Sequence, residues 1–290
     1  MLAKAQAKWV SEELLRIFPK IEISVVEVVT TGDRILNSAL SQVPGKGLFV
    51  KEIEDKLLAG DIDLAVHSMK DVPTDLPHGL AISAVTKRVD PRDVFISRHR
   101  VTLAELPRGA RVGTSSLRRQ AQLLHFRSDL TVLDIRGNID TRLKKSRTDE
   151  YDGILLAAAG LMRMGWQDEV HEYLSCNLMV PAVGQGALGI ETRRDDVETN
   201  RIVDALDDRA TNLAVAAERV FLDGMGGGCQ APMGAYCRER KGEVVFKAFH
   251  ASPNGDDIQK AERTGPLAEA SSLAEMLVES FSKNACLVAP

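Results

Sequence analysis

Runs of apolar, β-branched residues alternate with helical patterns through roughly the first 200 residues, and few architectures accept that order. IEISVVEVV (21–29) reads as a buried strand, and VKEIEDKLLAG (50–60) as a helix closed by Gly60. DIDLAVHS (61–68) is a further strand. ARVGT (110–114) leads into the helical SSLRRQAQLLHF, TVLDIRGN (131–138) into IDTRLKKS, and EYDGILLAA (150–158) into a short helix. Strands separated by helices with short connections predict open parallel sheets flanked by helices.

Two stretches break the rhythm. TKRVDPRDVFISRHR (86–100) is charged and carries Pro91, and PAVGQGALGI (181–190) holds three glycines and a proline; both read as crossings between domains. Two crossings predict a chain that leaves a first domain, builds a second and returns. The expected domains are 1–86 with 187–205, then 92–182, and last 207–290. That last part differs in character: the helix ATNLAVAAERVFLDGM, the glycine run GMGGGCQAP (224–232), strand-like EVVFKAFHAS and DDIQKAERTG, and a final helix PLAEASSLAEMLVESF. It reads as a small α+β domain carrying Cys229 at its entry.

Composition narrows the function. The net charge is −4 and aromatics are only 4% of the chain, which argues against nucleic acid as a partner. No apolar run approaches the roughly 18 residues of a membrane span, and the mixed-charge N-terminus resembles neither a signal nor a transit peptide. The cysteines at 176, 229, 237 and 286 form no CxxC pair, so a reduced, cytoplasmic setting is expected. The six histidines include no HExxH pair and none at ligand spacing from a cysteine, so no metal site is expected. No G-x-x-x-x-G-K-[ST] phosphate-binding pattern is present.

Within this acidic chain the positive charge is bunched, at Arg118-Arg119, Arg136, Arg142 and Lys144-Lys145. In parallel α/β sheets ligands gather outside the carboxyl ends of strands. Four segments bring polar residues to that edge: TTGDR with Asp33, HSMKDVP with Ser68, Lys70 and Asp71, GTSSLRRQ with Thr114, Ser115 and Ser116, and IRGNIDTRL with Arg136 and Arg142. In GTSSLRRQ the serine and threonine hydroxyls read as helix caps. Two arginines in a first turn oppose the helix dipole, so something negative is expected beside them. Several guanidinia around one cleft suit a ligand with several carboxylates. Asp71 among cations can hold an N–H donor or stabilise developing positive charge, and reads equally as a turn residue before Val72-Pro73. Cys229 behind Gly226-Gly227-Gly228 reads as a reactive thiol, whereas Cys176, Cys237 and Cys286 read as small buried hydrophobes.

Taken together, GKGLFVKE (45–52), HSMKDVP (67–73), GTSSLRRQ (113–120), IRGNIDTRL (135–143), PAVGQGALGIE (181–191) and GGGCQAP (226–232) resemble the porphobilinogen deaminase family, also called hydroxymethylbilane synthases. The resemblance spans nearly the whole chain, in the family's order. It implies an α/β fold of two domains similar to periplasmic binding proteins plus a small C-terminal α+β domain, with the active cleft between the first two. It implies a dipyrromethane cofactor on Cys229 through a thioether. Four porphobilinogen molecules are then added in turn with loss of ammonia, and water releases the linear tetrapyrrole.

Asp71 matches the family's catalytic carboxylate. Ser68, Lys70, Thr114, Ser116, Arg118, Arg119, Arg136 and Arg142 match positions that hold acetate and propionate groups, and Asp33, Lys46 and Phe49 match the cleft lining. A monomer is expected. Family members begin with a strand ending in R-x-S-x-L-A, whereas this chain starts at MLAKAQA. The expectation is a first sheet lacking one inner strand, with backbone groups left unpaired. A binding protein of the same two-lobed shape is the alternative, and it would need neither Asp71 nor Cys229.

Overall fold

The computed structural model describes residues 1–30, 50–227, 231–252, 255 and 257–286, with side chains to Lys283. Its architecture is α/β, built on two helix-covered sheets with a small α+β part at the C-terminal end. The first sheet is β1 (Leu64–Ser68), β8 (Leu188–Arg193) and β2 (Leu80–Val85), in the order β1-β8-β2. Helix α1 (Leu2–Ile17) buries Gln6, Val10 and Leu14, one stripe at i, i+4, i+8. Val10 and Leu14 pack with Ala84, Leu188, Ile190 and Val203. Helix α2 (Lys51–Ala59) ends at Gly60, whose φ of 78° lets its N–H turn back to the last carbonyls.

The second sheet holds β3 (Asp93–Ser97), β4 (Arg111–Gly113), β5 (Thr131–Leu133), β6 (Gly153–Ala157) and β7 (Glu172–Tyr173), in the order β5-β4-β6-β3-β7. Its strands β3 and β6 are buried on both faces, and their alternate residues feed separate cores. Phe95 and Leu155 pack with Val112 and Leu123 on one side; Val94, Ile96, Ile154 and Leu156 pack with Leu161 on the other. Helices α3 (Leu117–Phe126), α4 (Ile139–Lys145) and α5 (Ala158–Met164) follow β4, β5 and β6 in turn. A short helix, α6 (Val197–Val203), then leads to α7 (Arg209–Gly224), capped by Asp208 accepting from Thr211 N. The antiparallel meander β9 (Met233–Arg240), β10 (Glu243–His250) and β11 (Gln259–Pro266) packs on α7 and α8 (Ala270–Cys286) around Phe221, Phe246 and Phe281.

Three expectations need correction. Neither sheet is purely parallel: β8 runs antiparallel to both β1 and β2, and β3 antiparallel to β6, because each is a strand brought in by a crossing. The 86–100 stretch is more than a crossing, since its DVFIS is β3, buried at all five positions. Residues 21–29 form no strand. Val25 and Val29 are 60% and 59% exposed. A β-branched run becomes a strand only beside another strand, and among the described residues β1 pairs with β8 alone.

Candidate active site

Polar chemistry collects where the two sheets approach. After β1 the chain makes a single 3₁₀ turn, Met69–Asp71, pinned by Met69 N donating to Ala187 O at 3.1 Å. Ser68 Oγ accepts from Gln6 Nε2 at 2.8 Å, so α1 steadies the start of this turn. Gly184 makes the close approach possible: its φ is +68°, and a Cβ there would meet Met69 Cβ at 2.7 Å. The turn delivers Lys70 and Asp71 toward the second sheet. Burial lowers the Lys70 pKa, and the fields of Asp71, Arg119, Asp93 and Arg118 all reach it.

At the second sheet the carboxyl ends of parallel β4 and β5 supply the rest. Ser116 sits at the N-cap of α3 without making a side-chain cap bond, contrary to expectation. The hydroxyls bond elsewhere: Ser115 Oγ donates to Ile135 O at 2.9 Å, and Thr114 Oγ1 accepts from Ser116 N at 3.2 Å. The Ser115 bond ties the β4 loop to the β5 loop, and the Thr114 bond closes the β4 loop on itself.

The negative partner expected beside Arg118 and Arg119 belongs to the protein itself. Asp93, at the start of β3, is fully buried; Arg118 Nη1 donates to its Oδ2 at 2.7 Å, and Arg119 Nε and Nη2 to its Oδ1 at 3.0 and 2.8 Å. Backbone carbonyls of Val180 and Leu155 take further N–H groups. Gln185, from the second crossing, donates to the same Oδ1 at 3.1 Å. Burial alone would raise the Asp93 pKa, but the fields of Arg118 and Arg119 overcome it and hold the carboxyl well below the usual range. Asp93 lay in a stretch read as linker, so the sequence reading missed it.

Arg142 is held differently. Its Nε donates to Gly137 O at 2.7 Å, across a turn in which Gly137 has φ +110° and a Cβ would meet Thr141 at 2.6 Å. Burial, then the fields of Arg119 and Arg136, lower its pKa to about 10, while Asp71 opposes them. The cations Lys70, Arg118, Arg119, Arg136 and Arg142 therefore share one region with Asp71. Arg163 was also missed. From α5 its Nη2 donates to Gly186 O at 2.8 Å, and burial lowers its pKa to about 10 with no carboxylate paired to it among the described residues. A lone cation in the apolar helix AAGLMRM was the available signal.

Asp33, Lys46, Phe49 and Cys229 lie outside the described residues. The approach to Cys229 is described as far as Gly227, where helix α7 closes with Gly227 N donating to Leu222 O at 3.0 Å. Cys237, by contrast, is buried, and desolvation pushes its thiol up to about 12.

The dipyrromethane-cofactor-binding domain of porphobilinogen deaminase matches residues 1–201, and that enzyme's C-terminal domain matches residues 212–283. The porphobilinogen deaminase of Geobacillus kaustophilus (strain HTA426) is 53% identical over 285 residues, covering 97% of this chain and 92% of that one. That of Geotalea uraniireducens (strain Rf4) is 48% identical, covering 98% and 89%. That of Bacillus subtilis (strain 168) is 53% identical, covering 91% and 85%. Among solved structures, a lipoprotein of the YaeC family from Enterococcus faecalis V583 covers 76% of this chain and 93% of its own at 15% identity, with a TM-score of 0.41. With both family domains matched in order over most of its length, the chain belongs to the porphobilinogen deaminase family.

Proposed function

We propose that this protein is a hydroxymethylbilane synthase of tetrapyrrole biosynthesis. It joins four porphobilinogen units in turn to a dipyrromethane on Cys229, with loss of ammonia at each step, and then releases the linear product by hydrolysis. The observation that carries this reading is the crowd of cations at one edge of an acidic chain, with Arg142 among them lacking a paired carboxylate among the described residues. Each porphobilinogen ring brings an acetate and a propionate, so a growing chain is a polycarboxylate. Arg142 and Arg163 hold their heads against backbone carbonyls in partly desolvated surroundings, the donor set such a ligand fits.

When bound, the dipyrromethane supplies the pyrrole terminus to which substrate is joined. The roles we assign to the protein's own groups follow from charge. Asp71 is exposed among the cations, suited to accept the pyrrole N–H and to stabilise positive charge as ammonia leaves. Ser68, Lys70, Thr114, Ser116, Arg118, Arg119, Arg136 and Arg142, with Arg163 added, hold the carboxylates, and Asp93 keeps Arg118 and Arg119 charged and aimed. Asp33, Lys46 and Phe49 line the cleft. The domains we assign are 1–86 with 187–205, 92–182 and 207–290, a division supported by the pairing of β8 with β1 and β2. We further assign a monomer acting in the cytoplasm; among the described residues no helix is long and apolar enough to cross a membrane.

The test is intact mass under denaturing conditions, for the wild type beside Cys229→Ser. The expected result is an excess equal to a dipyrromethane, absent from the variant. An unmodified wild type would overturn the covalent reading and favour a protein that binds polycarboxylates without reacting.

A further inference from the structure

Three successive backbone carbonyls follow Asp71, and one side chain takes all of them. Arg219 Nη1 donates to Val72 O at 3.1 Å, and Nη2 to Pro73 O at 2.5 Å and Thr74 O at 3.3 Å. A guanidinium is suited to this, because its several donors are fixed in one plane. Arg219 stands on α7 five residues before Gly224, where the helix ends and the run toward Cys229 begins. Its neighbour Glu218 faces the other way: it accepts from Gly184 N at 2.7 Å in the second crossing and from Cys237 N at 2.8 Å on β9. One helix thus grips the turn after Asp71 on one side and the crossing between the sheets on the other.

The turn is also backed by Met69 and Val72, packed with Val85, Ala187 and Val215, and by Met69 N donating to Ala187 O. Its internal bond, Val72 N to Met69 O, is 3.3 Å long, and a cavity of about 360 Å³ lies against it between Met69, Thr74, Val85, Val215 and Arg219. The turn has room to shift once the grip is cut. We propose that Arg219 is a positioning residue. It fixes the Asp71 carboxylate relative to the helix that leads into the Cys229 loop, so that Asp71 stays in register with the ring that reacts. This rests on the function proposed above.

The experiment uses the full chain as purified, with Arg219→Gln and Arg219→Lys. Intact mass reports the covalent adduct, porphobilinogen turnover reports kcat and KM, and hydrogen exchange reports the amides of Asp71, Val72, Thr74 and Asp75. The expected result for Arg219→Gln is a retained adduct, KM within about threefold, kcat lower by about 10 to 100-fold, and faster exchange at those amides, as for the loss of one or two charge-assisted bonds. Arg219→Lys recovers part of kcat, since an ammonium keeps the charge but not the fork. Wild-type kcat in an adduct-bearing Arg219→Gln would overturn the proposal. So would equal impairment of both variants, with loss of activity tracking loss of Tm. If the wild type itself carries no adduct and turns nothing over, the functional reading has failed separately. Exchange then decides the grip: faster by about tenfold or more in Arg219→Gln supports it, and unchanged exchange overturns it.

Discussion

Two groups of arginines in the second half of the α/β part stand in opposite circumstances. Arg118 and Arg119 lie almost fully buried against one carboxylate, Asp93, with their other N–H groups on carbonyls. Among the described residues Arg142 and Arg163 reach a carbonyl each and no carboxylate, and burial lowers the pKa of both to about 10. In the first group the protein supplies the counter-charge; in the second no carboxylate is paired among the described residues, and the proposed function gives that place to a ligand. A basic cluster read from sequence therefore divides in two, a frame of arginines that the protein itself neutralises and a proposed set of hooks that it leaves without a carboxylate among the described residues.

The sharpest way to break this contrast is to remove the counter-charge. Asp93→Asn leaves two buried guanidinia facing a neutral amide, and cutting a buried ion pair on one side costs about 3–5 kcal/mol. Urea unfolding should show a loss of that order. The sign with pH follows from the depressed carboxyl. Its contribution is fully present above the ordinary Asp value of about 3.9 and disappears as pH falls through its lower folded value. The gap between wild type and variant should hold from neutral pH to about 4 and narrow below it. A gap that widens on acidification would mean that Asp93 is not the charged partner.

Arg142→Gln and Arg163→Gln should behave the opposite way. Each removes a cation that burial disfavours, so folding stability at neutral pH should be unchanged or higher. For these bases the sign is also reversed: with a folded pKa near 10, the burial penalty is present throughout the neutral range and is relieved only as pH rises through that value. Turnover of porphobilinogen should nonetheless fall by about 10 to 100-fold for each, the loss of a charge-assisted contact to a carboxylate. Parallel measurement of urea midpoints and turnover checks both arms. A variant that unfolds early and keeps its specific activity would move that arginine into the frame.

Why the sequence foretold the hooks better than the frame is a question of range. Arg136, Arg142, Lys70 and Asp71 sit in short motifs at strand ends, where one rule about sheet edges locates them. Asp93 acts across 25 residues on Arg118, and nothing local distinguishes it from Asp90, which pairs only with nearby Arg92. The flanking Lys87, Arg88 and Arg92 also made DVFIS look like linker, although all five of its residues are buried. The β-branched run 21–29 failed for the complementary reason. Strand propensity describes a fit to neighbours, and among the described residues that run has no ladder partner. Arg163 was legible in principle, as the single charge in a seven-residue apolar helix.

The same distinction between frame and hook applies, at the smallest scale, to the glycines before Cys229. The described pair differ from one another. Gly226 has φ +63° with open space around it, whereas Gly227 has an ordinary φ, and a Cβ there would meet Met233 Sδ at 2.3 Å and Cε at 2.4 Å. A Cβ at Gly227 would have to displace a flexible side-chain tip, which costs less than a clash with backbone. Gly227→Ala should destabilise by about 1 kcal/mol, the low end of the cost of overpacking. Shortening the obstacle in the double variant Gly227→Ala with Met233→Val should recover most of that loss and any accompanying loss of turnover. A double-mutant cycle in urea, with turnover measured on the same four proteins, separates the two readings. Recovery of both quantities makes Gly227 part of the frame. Recovery of stability while turnover stays low would assign it instead to the movement of the loop that carries Cys229.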